Sequence, residues 1–283
     1  MSEAPMLSWP APAKINLFLH VLGRREDGYH ELQTLFQLLD WGDEIRIRPT
    51  KQGRIARLPV TYDVVEDEDL VVRAARLLKA ETGCRNGAEI AVIKRVPPGS
   101  GLGGGSSDAA TVLRALNHLW GCGLAVDDLA SLGRSLGADV PVFIHGRSAM
   151  ATGIGEVLEP VDLGGRHYVL VFPPFPVSTG EVFSDPMLAR DSTKISVDAA
   201  LNGEGRNDCE PVVRKRFPAF DQVMKRLEEW GDPVMTGTGS GIFICMKNKK
   251  AAKSAAQAIK SLYNVRAVCG VNRSPLEERL DSR

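Results

Sequence analysis

The stretch Pro97-Pro98-Gly99-Ser100-Gly101-Leu102-Gly103-Gly104-Gly105-Ser106-Ser107-Asp108 holds five glycines and three serines and runs straight into a helix-forming segment. Glycine lacks a Cβ, so its peptide N–H can approach an anion closely, and the N-terminus of a following helix adds unpaired donors and the positive end of the dipole. The stretch therefore reads as a phosphate cradle. Ala109, Val112, Leu113, Leu116 and Trp120 fall on one helical face, and Gly121 and Gly123 stop the helix. Upstream, Ile90 to Ile93 reads as a buried strand. Strand, glycine loop and helix together favour nucleotide phosphates. The plain alternative is a glycine-rich turn capping a helix, but five glycines carry a folding-entropy cost that such a turn does not require.

What the loop lacks narrows the choice. A Walker A loop needs lysine after its second glycine, and Gly104 is followed by Gly105. Gly99, Gly101 and Gly104 do satisfy the dinucleotide pattern G-x-G-x-x-G, with Asp127 or Asp128 as the ribose-binding acid. Against it, Pro97-Pro98 lengthens a turn that such a unit keeps tight, and the unit would start near residue 90 instead of opening a domain. A dinucleotide oxidoreductase stays as the minority alternative.

At 283 residues and 43% hydrophobic, the chain has room for one large or two ordinary cores. Lysine plus arginine equals aspartate plus glutamate at 35 each, which gives no support to nucleic acid or an anionic membrane as partner. No window approaches the roughly 20 apolar residues of a membrane span, and Met1 to Trp9 has no signal-peptide pattern, so a cytoplasmic location is expected. Cys84, Cys122, Cys209, Cys245 and Cys269 are scattered without a C-x-x-C pair and read as reduced, mostly buried thiols with no metal site.

Hydrophobic patterning divides the chain into an N-terminal part, residues 1–158, and an α+β C-terminal part, residues 159–283. The first opens with a strand in which Ile15, Leu17, Leu19 and Val21 face one way and Lys14, Asn16, Phe18 and His20 the other. Asp27-Gly28 signals a turn, after which Tyr29 to Leu39 is extended and Ile45 with Ile47 marks another strand. Leu70 to Leu78 forms a helix ended by Gly83, and Leu129 to Leu136 a shorter one. The pattern breaks between Gly155 and Gly165. Beyond come strands at Tyr168 to Phe172, Ile242 to Met246 and Val265 to Val268, and helices around Phe220 to Trp230 and Ala251 to Leu262. A second glycine cluster, Thr236 to Gly241, feeds the strand at Ile242.

Pro12-Ala13-Lys14-Ile15-Asn16-Leu17, the Pro97 to Asp108 loop and Met235-Thr236-Gly237-Thr238-Gly239 resemble the three motifs of the GHMP kinases. Asp27-Gly28-Tyr29-His30-Glu31-Leu32, Leu136 to Phe143 and Asn207-Asp208-Cys209-Glu210 are similar to the branch that phosphorylates the 2-hydroxyl of 4-diphosphocytidyl-2-C-methyl-D-erythritol, on the non-mevalonate route to isoprenoid precursors. The resemblance runs from about Pro12 to Pro275. It implies an α+β GHMP kinase fold, a ribosomal-S5-like domain packed on a ferredoxin-like one, with ATP and Mg²⁺ as cofactors. A GHMP relative acting on mevalonate or homoserine is the runner-up, and a non-catalytic nucleotide-binding module of the same fold is a further alternative.

Phosphoryl transfer needs in-line positioning, a base for the hydroxyl, and donors or positive charge on the phosphates. By the resemblance Asp139 is the base and Lys14 its partner; alternatively Asp139 merely caps the turn that follows, and Lys14 is solvated. Asn16 either bonds substrate or orders the lysine, or is a buried amide satisfied by backbone. Pro97, Gly99, Gly101, Leu102, Gly103, Gly104, Gly105, Ser106 and Ser107 would wrap ATP, with the two last hydroxyls near the phosphates or the metal. Tyr29 and Phe183 would clamp cytosine between them while His30 bonds its edge; for Phe183, core packing is the alternative. Thr236 and Gly237 would close over the site. No carboxylate pair announces the metal ligands. Asp108 stands where asparagine is common, and a carboxylate there is expected to point away from phosphate or bind Mg²⁺.

Overall fold

The computed structural model describes residues 4–282; Met1 and Arg283, at the outer ends of the two expected parts, lie outside them. Among the described residues the strands are β1 (Leu7–Arg24), β2 (His30–Thr50), β3 (Ile55–Arg57), β4 (Gly87–Ile93), β5 (Ala149–Gly153), β6 (Val157–Pro160), β7 (His167–Phe172), β8 (Pro233–Met235), β9 (Ile242–Met246) and β10 (Asn264–Val271). They join in the order β3-β4-β2-β10-β7-β9-β8, with β1 and β5 also on β2 and β6 on β5.

Strand β2 is the spine. Its 21 residues, about 70 Å at ~3.3 Å each, replace the two strands expected between Tyr29 and Ile47. Gly42 lets it run through: a Cβ there would stand 2.0 Å from the Ala11 carbonyl oxygen of β1. Asp43, a residue that usually breaks strands, is buried instead by accepting from the amides of Arg95 and Val96. β1 pairs along β2 with register shifts between Pro12 and Lys14 and between Asn16 and Leu19. Each shift resets which side chains share a face. Lys14 and Asn16 stay together as expected, but Leu19 joins them at the cavity described below, and Phe18 turns to Leu35 and Met150. The simple alternation expected across Ile15 to Val21 is thus corrected by a bulge.

One core packs α1 (Leu70–Thr82), α2 (Gly104–Trp120), α3 (Val126–Arg134) and α4 (Val140–His145) on β1, β2 and β4. Asp69 caps α1 by accepting from the Val71 amide, and Gly83 ends it in the left-handed region. The second half contributes α5 (Thr179–Ser184), α6 (Val197–Leu201), α7 (Glu210–Arg216), α8 (Pro218–Leu227), α9 (Lys249–Ile259) and α10 (Pro275–Asp281). A second core sets α7, α8 and α9 against β7 and β9. The division at residues 158 and 159 falls inside β6, where a break was expected in place of a strand. β10 pairs with both β2 and β7, and α10 returns to the first core through buried Leu276. Burying such a leucine is worth ~1.5–3 kcal/mol, and Arg114 Nη2 adds 2.6 Å bonds to both Glu277 carboxylate oxygens.

No helix among the described residues is long and apolar enough to cross a membrane. The five cysteines are unpaired, as expected, but Cys209 alone is buried and Cys245 is exposed.

Candidate active site

A cavity of about 710 Å³ opens where β1, the Pro97 to Ser106 loop and the Gly237–Thr238 turn meet; Thr236, expected to close over the site, is fully buried and off its wall. The two glycine loops are laced together by backbone bonds from the Ser240 amide to Gly99 O and from the Gly241 amide to Ser100 O, each 3.1 Å. Their closeness demands glycine at residue 101, which has φ +70° and where a Cβ would stand 2.2 Å from Thr236 O. Leu102 is itself buried; its carbonyl accepts from the Lys14 amide at 3.1 Å. α2 begins at Gly104, inside the glycine run, so the first-turn amides of Gly104, Gly105 and Ser106 have no intrahelical acceptor and line the cavity. That early start corrects the expectation for Ser107. One residue deeper in the helix, its hydroxyl turns inward and donates to Pro12 O at 2.6 Å, fully buried and off the cavity wall. Ser106 stays on the wall.

Lys14 Nζ lies 3.2 Å from Asp139 Oδ2, 2.6 Å from Asn16 Oδ1 and 3.0 Å from Gly101 O. Asn16 Oδ1 and Gly101 O accept two of the three ammonium donors, and Asp139 is held as an ion pair. Lys14 is buried, whereas the Asp139 side chain is 32% exposed, open to the cavity it lines. Asp139 precedes α4 but makes no capping bond, so its carboxylate is committed to Lys14 and not to the turn.

Asn16 is held by side chains, not by backbone: Oδ1 accepts from Lys14 and Nδ2 donates to Thr34 Oγ1 at 2.8 Å. It orders the lysine. Its own amide donates to Thr236 Oγ1 at 2.9 Å, which ties the second glycine loop to β1. Gly237 and Thr238 line the cavity, and Thr238 Oγ1 lies 2.8 Å from Thr179 Oγ1.

The expected base clamp is assembled differently. Phe183, on α5, lines the cavity and stacks on His30, with ring centroids 5.1 Å apart and planes at 26°. His30 Nε2 accepts from Arg190 Nε at 3.0 Å. Burial, then the charges of Arg190 and Arg24, hold that imidazole below its ordinary pKa and favour the neutral ring. Tyr29 is 58% exposed and off the cavity wall, because the Asp27-Gly28 turn, closed by Asp27 Oδ1 accepting from the Tyr29 amide, directs it outward. The structure therefore does not bring Tyr29 opposite Phe183.

At the far end Lys94 bridges Asp43 and Asp108, at 2.5 and 2.8 Å. Of the two expectations for Asp108, pointing away or binding Mg²⁺, the first is not met. Asp108 lines the cavity with Oδ2 on Lys94 and a buried Oδ1 that has no partner. Burial pushes its carboxyl up to about 7 against the pull of Lys94, with Asp43 adding repulsion. Asp127 and Asp128 sit in the first turn of α3, off the cavity wall, with the Asp127 side chain 92% exposed, so neither can serve as a ribose acid there.

Two family models match: the GHMP kinases N terminal domain over residues 69–147 and the GHMP kinases C terminal over residues 188–265. A 4-diphosphocytidyl-2-C-methyl-D-erythritol kinase of Halorhodospira halophila is 51% identical over 271 residues, covering 95% of this chain and 94% of that one. One from Pseudomonas paraeruginosa is 48% identical, covering 99% of each. The chain belongs to the 4-diphosphocytidyl-2-C-methyl-D-erythritol kinase family of GHMP kinases. A crystal structure of 4-(cytidine 5'-diphospho)-2C-methyl-D-erythritol kinase superposes with a TM-score of 0.82 at 36% identity, covering 94% of this chain and all of that one. A homoserine kinase from Cytophaga hutchinsonii, at 19% identity and TM-score 0.69, shares the fold.

Set in this GHMP kinase, several cavity residues carry no sequence signal of their own. Thr34 anchors Asn16, Phe36 lies under Lys14 with Nζ 5.2 Å from its ring centroid, and Lys94 ties the loop to β2. Asn207, part of a segment that marked the family, turns out to bond the second glycine loop.

Proposed function

We propose that the chain transfers the γ-phosphoryl group of ATP to the 2-hydroxyl of 4-diphosphocytidyl-2-C-methyl-D-erythritol, in the supply of isoprenoid precursors. The observation that carries the chemistry is the Lys14–Asp139 pair, 3.2 Å apart, beneath a glycine loop with free helix-terminal amides. In this mechanism the substrate oxygen attacks the γ-phosphorus, the bond to the β–γ bridging oxygen breaks, ADP leaves, and the hydroxyl proton passes to Asp139 Oδ. Lys14 keeps that carboxylate oriented and faces the charge that develops on transfer. Amides of Gly104, Gly105 and Ser106 hold phosphate oxygens, so no Walker lysine is required.

Magnesium would reach the site on ATP. The Ser106 hydroxyl lies on the cavity wall near Gly137, its Oγ 3.5 Å from where a Cβ on that residue would stand, and would offer the ion a hard oxygen donor. One such donor suits an ion that keeps most of its waters, and it would offset triphosphate charge. Phe183 gives the cytosine an aromatic face and His30 backs it. We place the enzyme in the cytoplasm and assign ATP handling to residues 1–158, with residues 159–283 closing the site.

The test is ADP release measured with the diphosphocytidyl substrate, with mevalonate and with homoserine. Release is expected with the first alone. No substrate-dependent ADP would refute the proposal, and release with mevalonate would move it to that relative.

A further inference from the structure

Asn207 is off the cavity wall and touches neither Lys14 nor Asp139, yet both of its amide hydrogens are committed to the loop that closes the site. Nδ2 donates to Met235 O and to Gly237 O, each at 2.8 Å, and Oδ1 accepts from the Cys209 amide at 3.0 Å. The residue is 5% exposed. It hangs from the catalytic strand: Leu19 and Asn207 form a parallel bridge, closed by the Leu19 amide donating to Arg206 O and the Asp208 amide to Leu19 O. Asp208 adds a 2.8 Å bond from the Val21 amide to its Oδ2.

These bonds close a ring. β1 holds Asn207, Asn207 holds the carbonyls on either side of Thr236, and Thr236 Oγ1 accepts from the Asn16 amide back on β1. Across the ring the loop presses on Gly101: a Cβ on Gly237 would stand 2.9 Å from Gly101 O, the same oxygen that accepts from Lys14 Nζ. Gly101 O and Asn16 Oδ1 each fix one Lys14 donor and so set the place of Nζ, 3.2 Å from Asp139 Oδ2. A displaced loop would move Gly101 O and rotate that ammonium.

We infer that Asn207 is a positioning residue for phosphoryl transfer: it sets the Thr236–Gly237 loop against Gly101 and so fixes the direction in which Lys14 meets Asp139. The inference rests on the kinase reading above. Substituting Asn207→Asp keeps the shape but places a carboxylate against two carbonyl oxygens. Misplacement on the ångström scale costs about 100-fold in rate, so kcat should fall about 10- to 100-fold while KM for the alcohol changes less than about threefold. A carboxyl that takes up a proton regains one donor. The ratio of variant to parent kcat should therefore rise as pH is lowered from 8 toward 5.5, which a purely structural defect would not produce.

The experiment compares kcat, KM and the pH profile of parent and Asn207→Asp, with circular dichroism and Tm as the fold control. A parent-like kcat, or a loss whose ratio to parent is flat with pH, overturns the inference. If Asn207→Asp does not fold, Asn207→Ser, which keeps one donor, carries the test. An intermediate kcat loss at parent Tm supports the inference, whereas a parent kcat, or loss of fold in both variants, overturns it. A parent without substrate-dependent ADP release removes the kinase reading and this inference together; an active parent with an unaltered variant removes the inference alone.

Discussion

Replacing Lys14 by methionine keeps most of the side-chain volume and removes only the ammonium, which makes Lys14→Met the sharpest probe of the pair. The charge lies 3.2 Å from Asp139 Oδ2. At that separation Coulomb attraction is about 1.3 kcal/mol in water-like surroundings and about 5 kcal/mol at the effective dielectric of a protein site. Asp139 is 32% exposed, which places the pair between those limits. A loss of about 100-fold in kcat corresponds to ~2.7 kcal/mol, inside that range. Stability should change less. Asn16 Oδ1 and Gly101 O lose a donor, at ~1–3 kcal/mol each if left unsatisfied, but the fold no longer has to bury an ammonium. The assay is coupled ADP release at saturating ATP and alcohol, with Tm recorded alongside. A Lys14→Met enzyme within about threefold of parent kcat would refute the reasoning, since the ammonium would then contribute nothing to the transferred charge or to the base.

Asp108 gives a pH signature: its carboxyl titrates near 7 in the fold against 3.8 ordinarily, so between those values the unfolded chain releases a proton that the folded one keeps. Its contribution therefore lowers stability as pH rises from about 4 to about 7, and Asp108→Asn should flatten that fall by up to ~1.4 kcal/mol per pH unit; parallel Tm–pH curves would contradict this. Phe183→Ala should raise KM for the cytidyl substrate about 5- to 150-fold, from ~1–3 kcal/mol of stacking, with KM for ATP unchanged. Equal changes in both constants would point to a general loss of structure. Gly101→Ala forces a Cβ to within 2.2 Å of Thr236 O, so the thermal shift produced by ATP should disappear; an undiminished shift would show that the loops tolerate separation.

Local chemistry made part of this legible. The strand at Ile90 to Ile93, the helix face from Ala109 to Trp120 and the left-handed glycines ending α1 and α2 were readable because short-range sterics and periodicity set them. The start of α2 was not, because glycine's poor helix propensity hid that Gly104 and Gly105 already turn, and the fate of the Ser107 hydroxyl followed from that. The three register shifts in β1 escaped a strict two-residue period, and with them the change of face between Phe18 and Leu19. Long-range partners leave no local trace. Nothing near Lys14 announces Asp139 or Asn207, and only resemblance to GHMP kinases joined the first two. Tyr29 shows the opposite failure: the Asp27-Gly28 turn was legible, but a turn does not state where the next ring points.

Asp139 as acceptor of the attacking hydroxyl's proton is probed by Asp139→Asn, which preserves shape and removes the base, through its single-turnover rate at saturating ATP and diphosphocytidyl substrate. A general base contributes about 100- to 10,000-fold, and a loss in that range is expected with substrate and ATP affinities near those of the parent. A variant that turns over at the parent rate would contradict it.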